Sequence, residues 1–370
     1  MFWWRFVADA ALEIDAATVF FPVAEAGGIQ RLVGLGRGGA VWCNNRLLFP
    51  GFICRGRTFA YHLGRGNHIH MLSPAPMSFK TNRATGPFPR LSGLSLLGFS
   101  GVEAASFLQA QTMNDVRSLA IGNWQWNGWL NAKGRVICLC ALLRLSEDEF
   151  IAVLLDYPAD ELQPLLQRFV FRTKVRMQCI NDLVPAADLT PDEHELPRHQ
   201  AEGDRESGWR LDFSGNAVRR HLLLLPEASP GLGVESPEAS TNWWNADLAH
   251  GLPRLGPDQR EAWTPQMLSL DRLHAFSLKK GCYPGQEIVA RTHYLGQARR
   301  GLTRVTGEGL KPGAALTDEH GGAFGSIICI APEARHALAV VQLDKQLPTA
   351  RIGDQSVALP EFLDGLQRPL

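Results

Sequence analysis

The chain has no net charge: 37 Lys and Arg balance 37 Asp and Glu over 370 residues. A global field that would gather nucleic acid or an anionic membrane is therefore excluded. The seven cysteines (Cys43, Cys54, Cys138, Cys140, Cys179, Cys282 and Cys329) form no C-x-x-C pair and no zinc-finger spacing. Their odd number, with no secretory signal, points to reduced thiols in a cytosolic compartment. A long uninterrupted apolar run is missing too. Arg5, Asp9, Glu13 and Asp15 break the first apolar stretch, which excludes a clean signal peptide or membrane span there. The folded part contains no repeat and no low-complexity tract. These absences describe a cytoplasmic protein without membrane contact.

Acidic residues are also absent from Ala26 to Arg90, where nine Lys or Arg occur. Residues 1–90 carry 10 Lys and Arg against 4 Asp and Glu, which leaves 27 against 33 for residues 91–370. The neutral total thus hides a first part of about +6 and a remainder of about −6. Glycine is dense in this first part, and no apolar period persists. One reading is a basic arm for RNA or another polyanion. The other is a translation start assigned too early, with Met71 or Met77 as the true start. The second is adopted here, and it predicts that residues 1–88 are an extension without fixed packing. Direct nucleic-acid binding is not expected.

From Leu91 the pattern is that of a folded α+β protein. Leu94–Gly101 reads as a strand closing in a turn, and Val102–Gln111 has helical spacing. Val136–Leu145 is a nearly continuous apolar run, suited to a strand covered on both faces. Cys138 and Cys140 alternate onto one face of it, which favours core packing. Phe150–Leu155 is its hairpin partner across the polar Glu147–Glu149 turn. Pro158–Phe171 reads as a helix with Leu162, Leu165, Leu166 and Phe169 on one face. Lys174–Ile180 returns as a strand. Residues 181–208, with Pro185, Pro191 and Pro197, read as a long surface connection. Short strands follow at Trp209–Phe213 and Leu222–Leu225, then a polar break at Gly231–Ser240 and a helix at Trp243–His250. Trp124, Trp126 and Trp129 alternate and are expected to share one strand face. Gly301–Ala358 alternates short apolar runs with Gly and Pro turns, as a small β-barrel does.

The most distinctive stretch is Leu278–Thr292, LKKGCYPGQEIVART. Cys282 sits between Lys279-Lys280-Gly281 and the Pro284-Gly285 break, and Gln286–Arg291 opens a helix. A thiol acts as nucleophile or metal ligand only as thiolate. Neighbouring ammonium groups and a helix N-terminus both favour that anion, and Gly281 and Gly285 permit a tight loop. A small buried cysteine in a turn accounts for the same residues, and the pattern alone leaves both readings open.

The string K-G-C-Y-x-G-Q-E resembles the signature of the YgfZ family, folate-binding proteins related to the aminomethyltransferase (T-protein) of glycine cleavage. Thr264–Asp271 resembles the TPQ-x-LNLD lead-in of that family, and Phe107–Val116 its FLQGQxTNDV segment. Trp129–Arg135 resembles the D-x-KG-[KR] turn, and Phe171–Val175 the FR-x-KV strand. The likeness runs from about Leu91 onward. It implies a T-protein-like (GcvT-like) three-domain fold, with ferredoxin-like α/β sandwiches around a central channel. Two subdomains within 89–296 would bind the folate, and 297–370 would form a C-terminal β-barrel.

The resemblance also implies the chemistry. Tetrahydrofolate or another folate derivative is the expected cofactor, with Trp243, Phe171, Arg172 and Arg291 as contributors to its site. Support of 4Fe–4S enzymes, including tRNA-modifying ones, is the expected role, with client enzymes or assembly factors as partners. Cys282 would act as thiolate, a transient iron–sulfur ligand or redox thiol, with Lys280 favouring the anion. Gly281, Gln286 and Glu287 would complete the site, and Arg291 would pair with Glu287 at i, i+4. The acidic residue of the aminomethyltransferases after the KG turn is replaced by Cys138 and Leu139, and the Glu of L-E-A-G-x-P by Ala249. A transferase of that type, or a non-catalytic folate sensor linked to tRNA modification, are the alternatives.

Overall fold

A computed structural model describes residues 86–190, 199–296, 298–345 and 347–368, together with the backbone of strands between Thr18 and Met71. The chain divides into two compact units, 1–77 and 78–370. In the first, Thr18–Glu25 and Gly39–Val41 both pair antiparallel with Gly28–Gly36, and two short hairpins follow. The expectation of an unpacked extension at 1–88 otherwise lies outside the described residues, except that Phe88–Arg90 forms a strand of the second unit.

That unit begins with a five-stranded antiparallel sheet in the order Trp124–Leu130, Val136–Arg144, Glu149–Leu154, Ser95–Ser100, Arg176–Cys179. Alternation along Val136–Arg144 sends Cys138, Cys140 and Leu142 to one core and Leu139, Ala141 and Leu143 to another. The first core is closed by the helices Ala104–Gln111 and Ala159–Gln167, through Phe107, Leu108, Leu162 and Leu166. The second is shared with Leu211, Leu222 and Leu224 of a six-stranded sheet and with Phe213, just past the end of its strand Gly208–Asp212. A strand buried on both faces must be apolar throughout, and the sequence pattern is explained by that sandwiching.

The same alternation corrects the tryptophan reading. Trp124 and Trp126 enter the shared core, but Trp129 has the opposite parity and packs in the helix-covered one. Residues 181–208 are also more ordered than a surface connection. Leu183–Asp188 is a strand paired with His221–Pro226, and Ala201–Asp204 pairs with Gly208–Asp212. Pro185 disguised the first of these, because proline lacks the N–H that a strand interior normally uses. Its carbonyl still accepts from Leu91 N at 2.9 Å. The helix after Pro158 stops at Gln167, so Phe169 is 42% exposed, with its ring edge against Trp129.

The helix containing Trp243 begins earlier than its apolar pattern suggests, at Pro237. Ser236 caps it by accepting from Ala239 N, and proline occupies the first turn, where its missing N–H costs nothing. Six short strands between Arg300 and Ala358 close into a barrel when Thr306 pairs with Ala358. Among the described residues, no helix is long and apolar enough to cross a membrane.

Candidate functional site

The Cys282 loop is built by alternation of inward and outward residues. Lys280 and Tyr283 turn in and are buried, whereas Gly281 and Cys282 stay exposed. Lys280 Nζ donates to the carbonyls of Thr112 (2.5 Å) and Asn114 (2.9 Å) and lies over the Tyr283 ring at 4.9 Å. Ser277 N donates to Met113 O at 2.9 Å, and Gln286 Nε2 donates to Lys280 O at 3.2 Å. The loop is thus fastened to the segment Thr112–Asn114 on one side and to its own helix on the other. Gln266, from the TPQ segment, donates to Val289 O at 2.8 Å and anchors that helix, Gln286–Tyr294.

Gly285 caps this helix at φ +76°, a left-handed conformation that glycine adopts without strain. Gly281 does not have that role: its φ is not positive, and a Cβ there would meet nothing within 4 Å. The helix start rests directly on the turn Asn131–Arg135. Asn131 Oδ1 accepts from the backbone N–H of Lys133 (2.9 Å) and Arg135 (3.0 Å), and its Nδ2 donates to Glu261 at 2.7 Å. A side-chain amide therefore organises the turn where the family pattern has a carboxylate.

Burial pushes the Lys280 amine from 10.5 down to about 7, with Asp115 partly opposing the shift. Two features expected from the sequence are revised by this geometry. Lys280 spends its amine on interior carbonyls, and a group titrating near neutrality is only a partial charge beside the loop. Glu287 and Arg291 are both exposed and form no ion pair with each other; solvated surface pairs gain little from closing.

A separate cavity of about 800 Å³ opens between the end of the five-stranded sheet, the helix carrying Trp244 and the barrel, lined by Tyr157, Trp244, Arg254, Arg260, Asp156 and Cys329 among others. Arg254 lies over the Trp244 ring at 4.4 Å, and Arg260 over the Tyr157 ring at 3.8 Å. Arg260 also donates to the Asp156 carbonyl at 2.9 Å, while its buried Nε has no partner among the described residues. The Asp156 carboxylate accepts from Leu255 N (2.9 Å) and Leu139 N (3.4 Å). Desolvation dominates these bonds and raises its pKa from 3.8 to about 6. Burial likewise pushes the Cys329 thiol up to about 12, which leaves it inert.

Cys282 is exposed but does not line this cavity. Trp243 is 1% exposed and packs on Phe213 under the Arg220 guanidinium at 4.3 Å, so Trp244, its neighbour, reaches the cavity instead. Phe171 is 88% exposed, and both it and Arg172 lie on a bend before the strand Arg176–Cys179 rather than within it. The early end of the preceding helix leaves this bend outside the core. The residues missed from sequence are Asp156, Tyr157, Arg254 and Arg260. Their signal was an acid two residues after an apolar strand and two before a proline at a helix start, D-Y-P, and two arginines flanking a Gly-Pro turn.

Asp247 ties the helix to this wall. Its Oδ1 accepts from Arg220 Nη2 at 2.6 Å, and its Oδ2 accepts from Arg254 Nη2 at 2.7 Å. All three side chains are buried. Each arginine lies over one of the tandem tryptophans, so a single carboxylate sets the orientation of both rings' partners.

No protein-family model matches the chain. It is similar to the tRNA-modifying protein YgfZ of Colwellia psychrerythraea, 28% identical over 227 residues that cover 57% of this chain and 69% of the relative. The protein of the same name in Vibrio vulnificus YJ016 is 26% identical over 237 residues, covering 61% and 72%. Among solved structures, the glycine cleavage system aminomethyltransferase T from Bartonella henselae matches with a TM-score of 0.55 at 17% identity. That match covers 74% of this chain and 85% of the other. At that identity the match speaks for the fold alone. The YgfZ resemblance and the T-protein-like fold with a closed barrel, both read from the sequence, are borne out.

Proposed function

We propose that this YgfZ-like protein binds a reduced folate and supports the assembly or repair of 4Fe–4S enzymes, those that modify tRNA included, through Cys282. The observation that carries this reading is the exposure of Cys282 on a firmly anchored bend, while the other described cysteines are buried or half-buried. A thiol meant for a partner must be reachable and must not wander; the Lys280, Gln286 and Gln266 bonds supply the second condition. Among the described residues no group of three or more His, Cys, Asp or Glu can hold a metal ion. A resident cluster does not fit these described residues, since clusters commonly take four thiolates. In this proposal the cluster is cargo, and Cys282 contributes one ligand while a client enzyme or assembly factor contributes the others.

The large cavity supports the folate part. Trp244 and Tyr157 offer faces for a flat ring, Arg260 offers a cation for a carboxylate, and its unpartnered Nε is a donor awaiting an acceptor, while Arg254 is held against the Trp244 ring by Asp247. Trp243 braces this wall from the core side. Tetrahydrofolate or a derivative has the matching combination of ring and acidic tail. The protein would act in the cytoplasm on protein partners, without direct contact to nucleic acid.

In cells, Cys282→Ala is expected to lower tRNA thiolation by 4Fe–4S enzymes while leaving the melting temperature and calorimetric folate affinity unchanged. Full complementation by that variant would overturn the role of the thiol. Loss of folate affinity in Arg260→Ala, with Cys282 intact, tests the cavity separately.

A second reading, one-carbon transfer, is favoured by one observation. An acid stands near Cys138 and Leu139 on the bend after the neighbouring strand Glu149–Leu154, where Asp156 accepts from Leu139 N and lines the cavity. Transfer of the methylene group of an aminomethyl thioether donor to tetrahydrofolate by the purified protein, with release of ammonia and the free thiol and abolished in Asp156→Asn, would support it.

A further inference from the structure

Beyond the last barrel strand, residues 360–368 leave the barrel as irregular chain and run to the aromatic cluster of the shared core. The grips on this segment are made to its backbone. Leu363 N donates to Ala249 O, Asp364 O accepts from Asn216 N, and Leu366 O accepts from Trp126 Nε1, each at 2.8 Å. His274 Nδ1 meets Arg368 O, also at 2.8 Å. The side chain delivered by these grips is Arg368, which is 1% exposed. Its guanidinium lies 4.5 Å over the Trp124 ring, and its Nη2 donates to Asp212 O at 2.6 Å. Trp124 is itself stacked with Phe213 (4.8 Å, 14°) and met edge-on by Trp126 (5.1 Å, 89°).

This arrangement has the parts of a receptor for a flat cation: an indole face, rings that hold the indole still, and a backbone carbonyl at the rim. Apart from the ring and the Asp212 carbonyl, the occupant's guanidinium is held by its own segment: Arg368 Nη1 donates to the carbonyls of Leu366 and Gln367, each at 3.0 Å, and to that of Gly365 at 3.4 Å, while Arg272 lies over the Phe362 ring at 4.3 Å. Glu361, Asp364 and Gln367 are exposed, and only Gly365, Leu366 and Arg368 of residues 361–368 are buried. Segments with little apolar burial open at lower free energy than core strands. Between the segment and His250, Arg272 and His274 lies a further cavity of about 250 Å³, so the strap does not close down on packed atoms along its whole length.

We propose that Trp124, Trp126, Phe213 and the Asp212 carbonyl form a binding box for a small planar guanidinium cation. Arg368 is its intramolecular occupant, and residues 360–368 act as a latch that such a cation displaces. This box is distinct from the 800 Å³ cavity, and the proposal stands independently of the folate reading.

Methylguanidine is the probe, with methylammonium as the non-planar control, followed by tryptophan fluorescence and melting temperature on the full-length protein. Arg368→Ala empties the box. Gly365→Ala leaves every box residue in place but unseats the latch, because a Cβ there would fall 2.2 Å from Asn216 Oδ1 and 2.6 Å from its N. Both variants are expected to bind methylguanidine about tenfold more tightly than wild type, a difference of about 1.4 kcal/mol, and to ignore methylammonium. Hydrogen exchange on the wild-type protein supplies an arm that needs no variant: the Leu363 amide should exchange well before the Leu223 amide of the core sheet. Exchange of the two at one common rate would make the segment a fixed part of the core and overturn the proposal. So would folded variants that respond to methylguanidine as wild type does.

Discussion

Gly134 and Gly285 meet backbone to backbone: a Cβ on Gly285 would lie 2.5 Å from the Gly134 Cα and 2.5 Å from the Asn131 carbonyl oxygen. The KG turn and the helix that follows Cys282 are therefore a single packed unit, assembled from segments about 150 residues apart in the chain. Gly285→Ala combines a left-handed backbone with a steric overlap, and should cost about 2–4 kcal/mol. Gly281→Ala meets nothing and should stay within about 0.5 kcal/mol of wild type. Urea midpoints at unchanged m distinguish them, and an equal cost at both positions would contradict the account.

Lys280 provides a pH test of the loop. Its folded pKa, about 7, lies below the ordinary 10.5, so between those values the unfolded chain binds more protons than the native one. Stability must then rise with pH across that window, by at most about 1.4 kcal/mol per pH unit for one proton. Below pH 7 the penalty for burying the ammonium is present in full. Lys280→Met, measured by denaturation at pH 7, 8 and 9, is expected to lose this rise. Measurements should stop short of pH 10, since burial also pushes Tyr283 up to about 12 and adds an opposite slope there.

The buried carboxylate of Asp247 should be the costliest single change near the cavity. Asp247→Asn leaves two buried guanidinium groups, Arg220 and Arg254, facing an amide that can accept only through one oxygen. Breaking one partner of a buried charge network costs about 3–5 kcal/mol. Tryptophan emission should shift along with the unfolding midpoint, because those guanidiniums cover Trp243 and Trp244. A stable variant with unchanged emission would show that the rings are held by packing alone.

Where periodicity was strong, the sequence was legible. The buried hairpin of Val136–Arg144 and Glu149–Leu154, the helix after Gly285 and the barrel were all visible from pattern and turn chemistry. Pro185 hid a strand because its ring argues against one, and the face shared by Trp124 and Trp126 excluded Trp129 for want of one residue of parity. The cavity was harder to foresee. Asp156, Trp244 and the Arg254–Arg260 turn stand on three separate segments, and only the meeting of sheet, helix and barrel places them on one wall. The direction of Lys280 was equally hidden, since a loop of mixed residues has no period from which to read in and out.

Asp156 gives the last test, and its sign is opposite to that of Lys280. Its folded pKa of about 6 is raised above the ordinary 3.8, so between these values the native protein binds more protons than the unfolded chain. The stability contributed by the neutral acid is complete below pH 3.8 and is lost as pH rises through 6. Wild type should therefore decline in stability over that window relative to Asp156→Asn, which has no proton to lose. Between pH 4 and pH 7 the variant should gain on wild type by about 1–2 kcal/mol, allowing for partial solvent access to the cavity. Parallel pH profiles for the two proteins would mean that the carboxyl is solvated well enough to ionise normally, and would remove the polarised acid from the cavity wall.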